Sequence, residues 1–241
     1  MHNPLEQFTI QSIIDFSIYG YDLSFTNSAL AMMISVVATC VLLAAGISRA
    51  TLVPSKTQMF VEMLYQTILK MLNSNAGPKG EKFIPIIFSL FLFVLTCNLF
   101  GMIPFAFTAT SHIAVTFSLA MMVFLMVTFI GFFKHGWHFF SLFLPAGVPF
   151  WLAPMMIIIE LFAYLARPIS LSLRLGANMI AGHILLKILA GFVVLLPLVY
   201  KIAPFPAIVI LIAFEIFVCM LQAYIFAILS CVYLNDALNL H

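Results

Sequence analysis

Charged residues are scarce in this sequence. Only 7% of its 241 residues are Asp, Glu, Lys or Arg, whereas 64% are hydrophobic. A soluble domain carries about 25% charged residues, so this chain has too few charges to cover a water-facing surface. The scarcity excludes an ordinary soluble protein and indicates an integral membrane protein.

Features of several other protein classes are also missing. The net charge is only +2 and no basic stripe occurs, so we expect no binding to nucleic acid. The four cysteines lie in apolar runs without paired spacing, which argues against a disulfide framework or a metal site. No nucleotide-binding or hydrolytic motif appears, and we therefore expect no cofactor and no catalysis by this chain itself.

The amino end has neither the basic-then-apolar pattern of a signal peptide nor the Arg-rich pattern of a transit peptide. Its charges are Glu6, Asp15 and Asp22, with no Lys or Arg before the first apolar run. From this pattern we expect direct insertion into a membrane, in a bacterium or from the genome of an organelle.

The apolar runs are long enough for spanning helices and too long for barrel strands. After a polar segment, 1–27, the pattern predicts a first span over 28–48. Residues 83–133 hold two further spans, 83–104 and 112–133. No internal repeat is visible, and the prediction is one all-α membrane domain over residues 1–241.

A different pattern occupies residues 54–72, where polar residues recur every four positions on an otherwise apolar helix. This stripe consists of Gln58, Glu62, Gln66 and Lys70. Ser55 with Gln58 predicts a capping box at the helix start. An amphipathic helix lying on the membrane surface and a helix packed inside the protein fit this pattern equally well.

The last two apolar segments are too long for a perpendicular crossing. Residues 155–196 would form a helix of about 63 Å, and residues 207–234 one of about 42 Å, whereas the hydrocarbon core is about 30 Å thick. Such helices must break or incline steeply, and Pro168 is a candidate kink. We predict a hairpin of two long helices within 150–236, joined around "LPLVYKIAPFP".

Basic residues concentrate in the connection between the first two spans. They are Arg49, Lys56, Lys70, Lys79 and Lys82, and Lys134 follows the third span. The positive-inside rule places these loops on the cytoplasmic or matrix side. Lys201 falls on the opposite side by alternation and goes against the bias.

The two long segments also contain ionisable residues, each costing about 2.5–3.5 kcal/mol at mid-bilayer. Glu160, Arg167 and Arg174 are seven positions apart and share a face, which Asn178 joins one turn later. Small residues at helical spacing surround Arg174 and would let another helix approach. A fixed cation in such a groove suits a passing negative charge.

Other interpretations of these charges stay open. In one, Arg174 is half of an ion pair that only supports the structure; in another, Arg167 simply neutralises Glu160. Lys187 is expected to extend towards the headgroups. His183 points away from the Arg174 face, and Glu215 shares a face of the last helix with Gln222. If the two helices pair antiparallel, the titratable Glu and His would form a proton relay.

Three stretches resemble subunit a of F-type ATP synthases, in its mitochondrial or alphaproteobacterial form. They are "SLSLRLGANMIAGHILLKIL", "LQAYIFAILSCVYLNDALNLH" and "CNLFGMIPF". The resemblance implies that Arg174 is the essential charge of the stator, with Asn178 and His183 in the same motif. It places the polar pair of the last helix on Glu215 and Gln222.

The resemblance also implies partners and a place of action. These are a ring of c-subunits, each with one carboxyl group, the peripheral stalk and other Fo subunits, in the bilayer of the mitochondrial inner membrane or of a bacterial inner membrane. Protons would enter by one half-channel containing Glu215, His183 and Gln222, and leave by another near Glu160. The alternative functions are a subunit of another proton pump and a proton-coupled transporter, although a transporter should show inverted repeats.

Overall fold

The computed structural model describes residues 11–15, 17–18, 21–22, 24–47, 54–103, 107–143, 151–195 and 204–239. The described parts contain six α-helices: α1 (Asn27–Ile47), α2 (Lys56–Ala76), α3 (Ile84–Gly101), α4 (Ile113–His135), α5 (Ala153–Leu195) and α6 (Pro204–Leu238). Short 3₁₀ helices at Pro78–Phe83, Ala109–Ser111 and Gly136–Phe143 adjoin them. Five helical stretches are long and apolar enough to cross a membrane. The prediction of an all-α membrane protein is confirmed.

Among the described residues before the first helix, four very short strands occur. β1 (Ser12–Ile14) pairs antiparallel with β4 (Phe25–Thr26), and β2 (Ser17–Ile18) pairs antiparallel with β3 (Tyr21–Asp22). The second pair thus lies within the loop of the first. The sequence pattern did not predict these strands, because two or three residues are too few to show an alternation.

The helix α2 has one buried face and one exposed face. Val61, Ile68 and Leu72 are buried, and α2 packs against α1 and α6. Of the polar stripe, only Gln58 is buried, whereas Glu62, Gln66 and Lys70 are exposed. The helix therefore packs on the bundle with one face and keeps most of its polar stripe outside. Its position on the membrane surface stays a prediction.

The predicted capping box at the start of α2 is only half present. The hydroxyl of Ser55 accepts a hydrogen bond from the backbone N–H of Gln58 at 3.3 Å. The Gln58 side chain donates to Glu62 at 2.7 Å, one turn further along the helix. Ser55 therefore caps the helix, whereas the side chain of Gln58 forms a hydrogen bond along the polar stripe and does not complete the capping box.

The core lies around α3 and the carboxyl half of α6. Phe226 and Leu234 of α6 are fully buried against residues of α2, α3 and α4, including Leu72, Leu92 and Val123. By contrast, Ile210 and Phe214 near the start of α6 are exposed. One end of α6 therefore anchors the helix in the protein, and the other presents apolar side chains outwards.

The helices α5 and α6 contain 43 and 35 residues, or about 65 Å and 52 Å of helix. Pro168 lies inside α5, which is helical on both sides of it. The alternative of a broken helix is therefore wrong for α5. Because these lengths exceed the hydrocarbon core of about 30 Å, both helices must be inclined to fit. Most of the predicted turn, including Lys201, lies outside the described residues.

Candidate functional site

The pairing of α5 with α6 brings four of the predicted site residues together. The Asn178 amide donates to the Gln222 side-chain oxygen at 3.1 Å, and Nδ1 of His183 lies 3.7 Å from Oε1 of Glu215. As the residue number rises along α5 from 178 to 183, its partner falls along α6 from 222 to 215. The helices therefore run antiparallel, as predicted.

The acid of this pair is enclosed by protein. Glu215 is 5% exposed and His183 is 8% exposed. Within the described part of the chain, neither carboxyl oxygen of Glu215 has a hydrogen-bond partner. A buried polar group without such a partner costs free energy, so this carboxyl is not placed there for stability. It is suited to exchanging a proton with the imidazole beside it.

Gly182 makes the close approach of Glu215 to α5 feasible. A methyl group on Gly182 would lie 2.8 Å from Cδ of Glu215, well inside van der Waals contact. Only a residue without a side chain leaves that space to the carboxyl group. The glycine beside His183 in "AGH" therefore has a direct packing reason.

Thr108, which is not among the predicted site residues, contacts His183. Oγ1 of Thr108 lies 3.0 Å from Nε2 of the imidazole and donates to the Gly101 carbonyl at 3.2 Å. Thr108 is buried in the segment between α3 and α4. No periodic pattern points to Thr108, because an irregular segment has no helix or strand face to which a residue can be assigned.

Asn98 is a second polar residue that was not among the predicted site residues. It is fully buried in α3, and its amide donates to the backbone carbonyl of Cys219 at 3.3 Å. Cys219 lies one turn after Glu215 on α6. The available signal was an amide inside the apolar stretch "CNLFGMIPF", where a polar side chain needs a partner.

Arg174 lies on a different face of α5 from the buried pair. Its side chain is exposed, as are those of Ser170, Ala177 and Ala181 on the same face. Among the described residues, no acidic side chain forms an ion pair with it. The interpretation of Arg174 as half of an internal ion pair therefore finds no partner in this part of the chain.

Hydrogen bonds to α4 fix the rotation of α5 around Arg174. The Ser172 hydroxyl lies 3.1 Å from that of Thr116, and Tyr164 lies 2.7 Å from Thr128. Leu175, next to Arg174, is fully buried. Because this face of α5 is held inside, the guanidinium is held outside.

Arg167 does not pair with Glu160, so the alternative interpretation that it neutralises this acid is wrong. Its guanidinium forms an ion pair with Asp236 of α6 at 2.8 Å and lies 5.2 Å and 5.0 Å from the ring centres of Tyr164 and Tyr233. The antiparallel pairing brings the end of α6 nearer to Arg167 than the side chain two turns back. Glu160 is half-buried, without an ion pair among the described residues.

The chain matches the protein family described as ATP synthase A chain over residues 29–235. It belongs to this family. The match includes every predicted site residue and ends one residue before Asp236. The resemblance to subunit a of F-type ATP synthases is thereby confirmed.

Membership in the subunit a family identifies the general role of the chain. It is the non-catalytic proton-channel subunit of an ATP synthase, and it takes part in proton translocation within the Fo sector. The five helical stretches that are long enough to cross a membrane agree with a multi-pass membrane subunit. As a subunit a, it acts together with the c-ring and other subunits of the complex.

Proposed function

We propose that this subunit a supplies two proton half-channels separated by Arg174, against which the carboxyl groups of the c-ring exchange protons. The main support for the proposal is the contrast between the two faces of α5. One face holds the buried Glu215–His183 pair, and the other presents a permanent cation without an ion-pair partner among the described residues.

The exposed face of α5 and α6 is the surface proposed to contact the c-ring. Leu173 and Leu185 of α5 and Ile216 and Phe217 of α6 are exposed apolar side chains there. Small side chains around Arg174 leave room for a ring helix to come close. A ring carboxylate that reaches this surface would meet the guanidinium at short range.

Arg174 then acts as a counter-ion and as a barrier. Its positive charge favours the ionised form of an arriving ring carboxyl group, so the proton leaves before the group passes. A guanidinium does not lose its own proton, so it cannot pass protons directly between the half-channels. Each proton crossing about 100 mV releases roughly 2.3 kcal/mol, which the ring converts to torque.

The buried pair is proposed to belong to the half-channel that opens on the intermembrane or periplasmic side. Glu215 and His183 exchange the incoming proton, and the Asn178–Gln222 hydrogen bond lies between them and Arg174 along α5. These amides are polar and uncharged, so they line the path without holding the proton.

Glu160 is proposed to line the other half-channel. It lies on α5 on the opposite side of Arg174 from His183, two turns before Arg167. An acid at this place would accept protons released from the ring. Arg167, paired with Asp236, would then border the exit.

The proposed location is the mitochondrial inner membrane, with a bacterial inner membrane as the alternative. The pattern of His183 in the motif and Glu215 in the last helix supports the mitochondrial or alphaproteobacterial form. The proposed partners beyond the c-ring are the peripheral stalk and other Fo subunits. Another proton pump or a transporter, the competing functions, loses support through the family match.

Proton-driven ATP synthesis in vesicles with Arg174→Ala tests this proposal. We expect a loss of at least about tenfold, since removal of the charge leaves ring carboxylates without their counter-ion. Lys70→Ala, which removes an exposed cation of α2 away from the proposed path, is the control and should keep most of the activity. Normal synthesis by Arg174→Ala in a fully assembled complex would refute the proposal.

A further inference from the structure

Thr108 occupies a place that the proposed proton path does not yet use. It is buried, it belongs to none of the three stretches that resemble subunit a, and it makes two hydrogen bonds through one hydroxyl. Oγ1 lies 3.2 Å from the Gly101 carbonyl oxygen and 3.0 Å from Nε2 of His183. The two partners differ in chemistry, and this difference assigns the hydrogen atoms.

A hydroxyl group has one hydrogen to donate, and a backbone carbonyl can only accept. The hydrogen of Thr108 is therefore directed to Gly101, and the oxygen of Thr108 accepts from His183. Nε2 of His183 must then carry a hydrogen. A neutral imidazole carries only one N–H, so its Nδ1, which faces Glu215, holds a lone pair.

We propose that Thr108 is a positioning residue that holds neutral His183 in the Nε2–H tautomer, which leaves Nδ1 to accept a proton from Glu215. This inference rests on the proposed function of the Glu215–His183 pair. In the step, the O–H bond of the protonated Glu215 carboxyl breaks and an N–H bond forms at Nδ1. Glu215 becomes a carboxylate and His183 an imidazolium that keeps its Nε2–H. The reverse step restores both groups.

The distance of 3.7 Å between Nδ1 of His183 and Oε1 of Glu215 is longer than a hydrogen bond. One bridging water or a small movement of the carboxyl group would connect the two atoms. Without Thr108, a neutral His183 could carry its proton on Nδ1 and would then offer Glu215 a donor where an acceptor is needed.

The place of Thr108 is itself fixed by its neighbours. A methyl group on Gly101 would lie 2.6 Å from Cγ2 of Thr108, so Gly101 provides both the acceptor and the room. The Ser111 hydroxyl donates to the Thr108 carbonyl at 2.7 Å and ties down the backbone of the segment. Such support is what a residue that orients an imidazole requires.

The direct test is ¹⁵N NMR of His183 in the assembled complex, with its signals identified by their loss in His183→Asn. In the wild type, we expect the neutral ring as the Nε2–H tautomer. Thr108→Ser keeps the hydroxyl and should keep this tautomer. Thr108→Val keeps the shape but not the acceptor, and should show both tautomers.

Proton-driven ATP synthesis in the same vesicles gives the second readout. Because one hydrogen bond between uncharged groups contributes about 1 kcal/mol, we expect Thr108→Val to reduce the rate about fivefold and Thr108→Ser to restore it. A wild-type Nδ1–H tautomer would overturn the inference even if Thr108→Val did not assemble. A Thr108→Val complex with the wild-type tautomer and rate would overturn it as well.

Arg174→Ala in the same series separates this inference from the proposed function. If Arg174→Ala loses synthesis while Thr108→Val keeps the wild-type tautomer and rate, only the role of Thr108 is wrong. If Arg174→Ala keeps synthesis, the proposed function is wrong, whereas the tautomer measured by NMR still decides what Thr108 does to His183.

Discussion

At the scale of single residues, the site depends on the space left by one glycine. The carboxyl group of Glu215 lies where a side chain on Gly182 would be, and this contact brings the acid beside His183. A proton relay is sensitive to such placement, because an error of about 1 Å can cost about 100-fold in rate. The position of Glu215 is thus set by α5 as much as by α6.

We therefore expect Gly182→Ala to reduce proton-driven ATP synthesis by on the order of tenfold, because its methyl group pushes the Glu215 carboxyl away. Gly191→Ala is the matched control, since it lies on the same helix and a methyl group there meets nothing within 4 Å. The measurement is the synthesis rate per assembled complex. Equal rates for the two variants would show that the close approach is not needed.

The sequence predicted that Glu215 and Gln222 share a face of the last helix and that antiparallel pairing would bring Glu215 near His183, because helical spacing is enough for both. It did not specify Asn178 as the partner of Gln222. It did not predict Thr108 or Asn98. These uncharged residues are not conspicuous in an apolar sequence, and their role depends on how α3 and the segment after it pack on α5 and α6. Such packing between distant segments leaves no trace in local periodicity.

At the scale of elements, α5 is held from two sides. Hydroxyl groups of α4 bond to its inner face through Ser172 and Tyr164, and the Arg167–Asp236 ion pair ties it to the end of α6. The sequence predicted both long helices to within a few residues. It offered Glu160 as one candidate partner of Arg167, whereas the acid that pairs with Arg167 lies 69 residues away and near a helix end.

The ion pair predicts a coupled effect on stability. Arg167→Gln and Asp236→Asn should each lower the thermal stability of the purified complex modestly, by about 1 kcal/mol, because both side chains are partly exposed. The double variant should be no less stable than the less stable of the two single variants, since both changes break the same interaction. The measurement is the midpoint of thermal dissociation for the four proteins. Additive losses would contradict a direct pairing.

At the scale of the whole molecule, a buried core holds the helix bundle together, and the outer side of α5 and α6 is left exposed. The core around α3 and the carboxyl half of α6 fixes the bundle. The outer side of α5 and α6 is exposed and apolar, with Arg174 as its fixed charge. In the proposed function, the protein holds this charge still while the ring moves past it.

Passive proton leak through membranes with the ring blocked against rotation shows whether Arg174 separates the two half-channels. We expect almost no leak in the wild type and in Lys70→Ala, which removes an exposed cation of α2. We expect a leak on the order of tenfold or more above wild type in Arg174→Ala, because a charged barrier of a few kcal/mol is removed. A tight Arg174→Ala membrane in an assembled complex would contradict the claim that Arg174 separates the two half-channels.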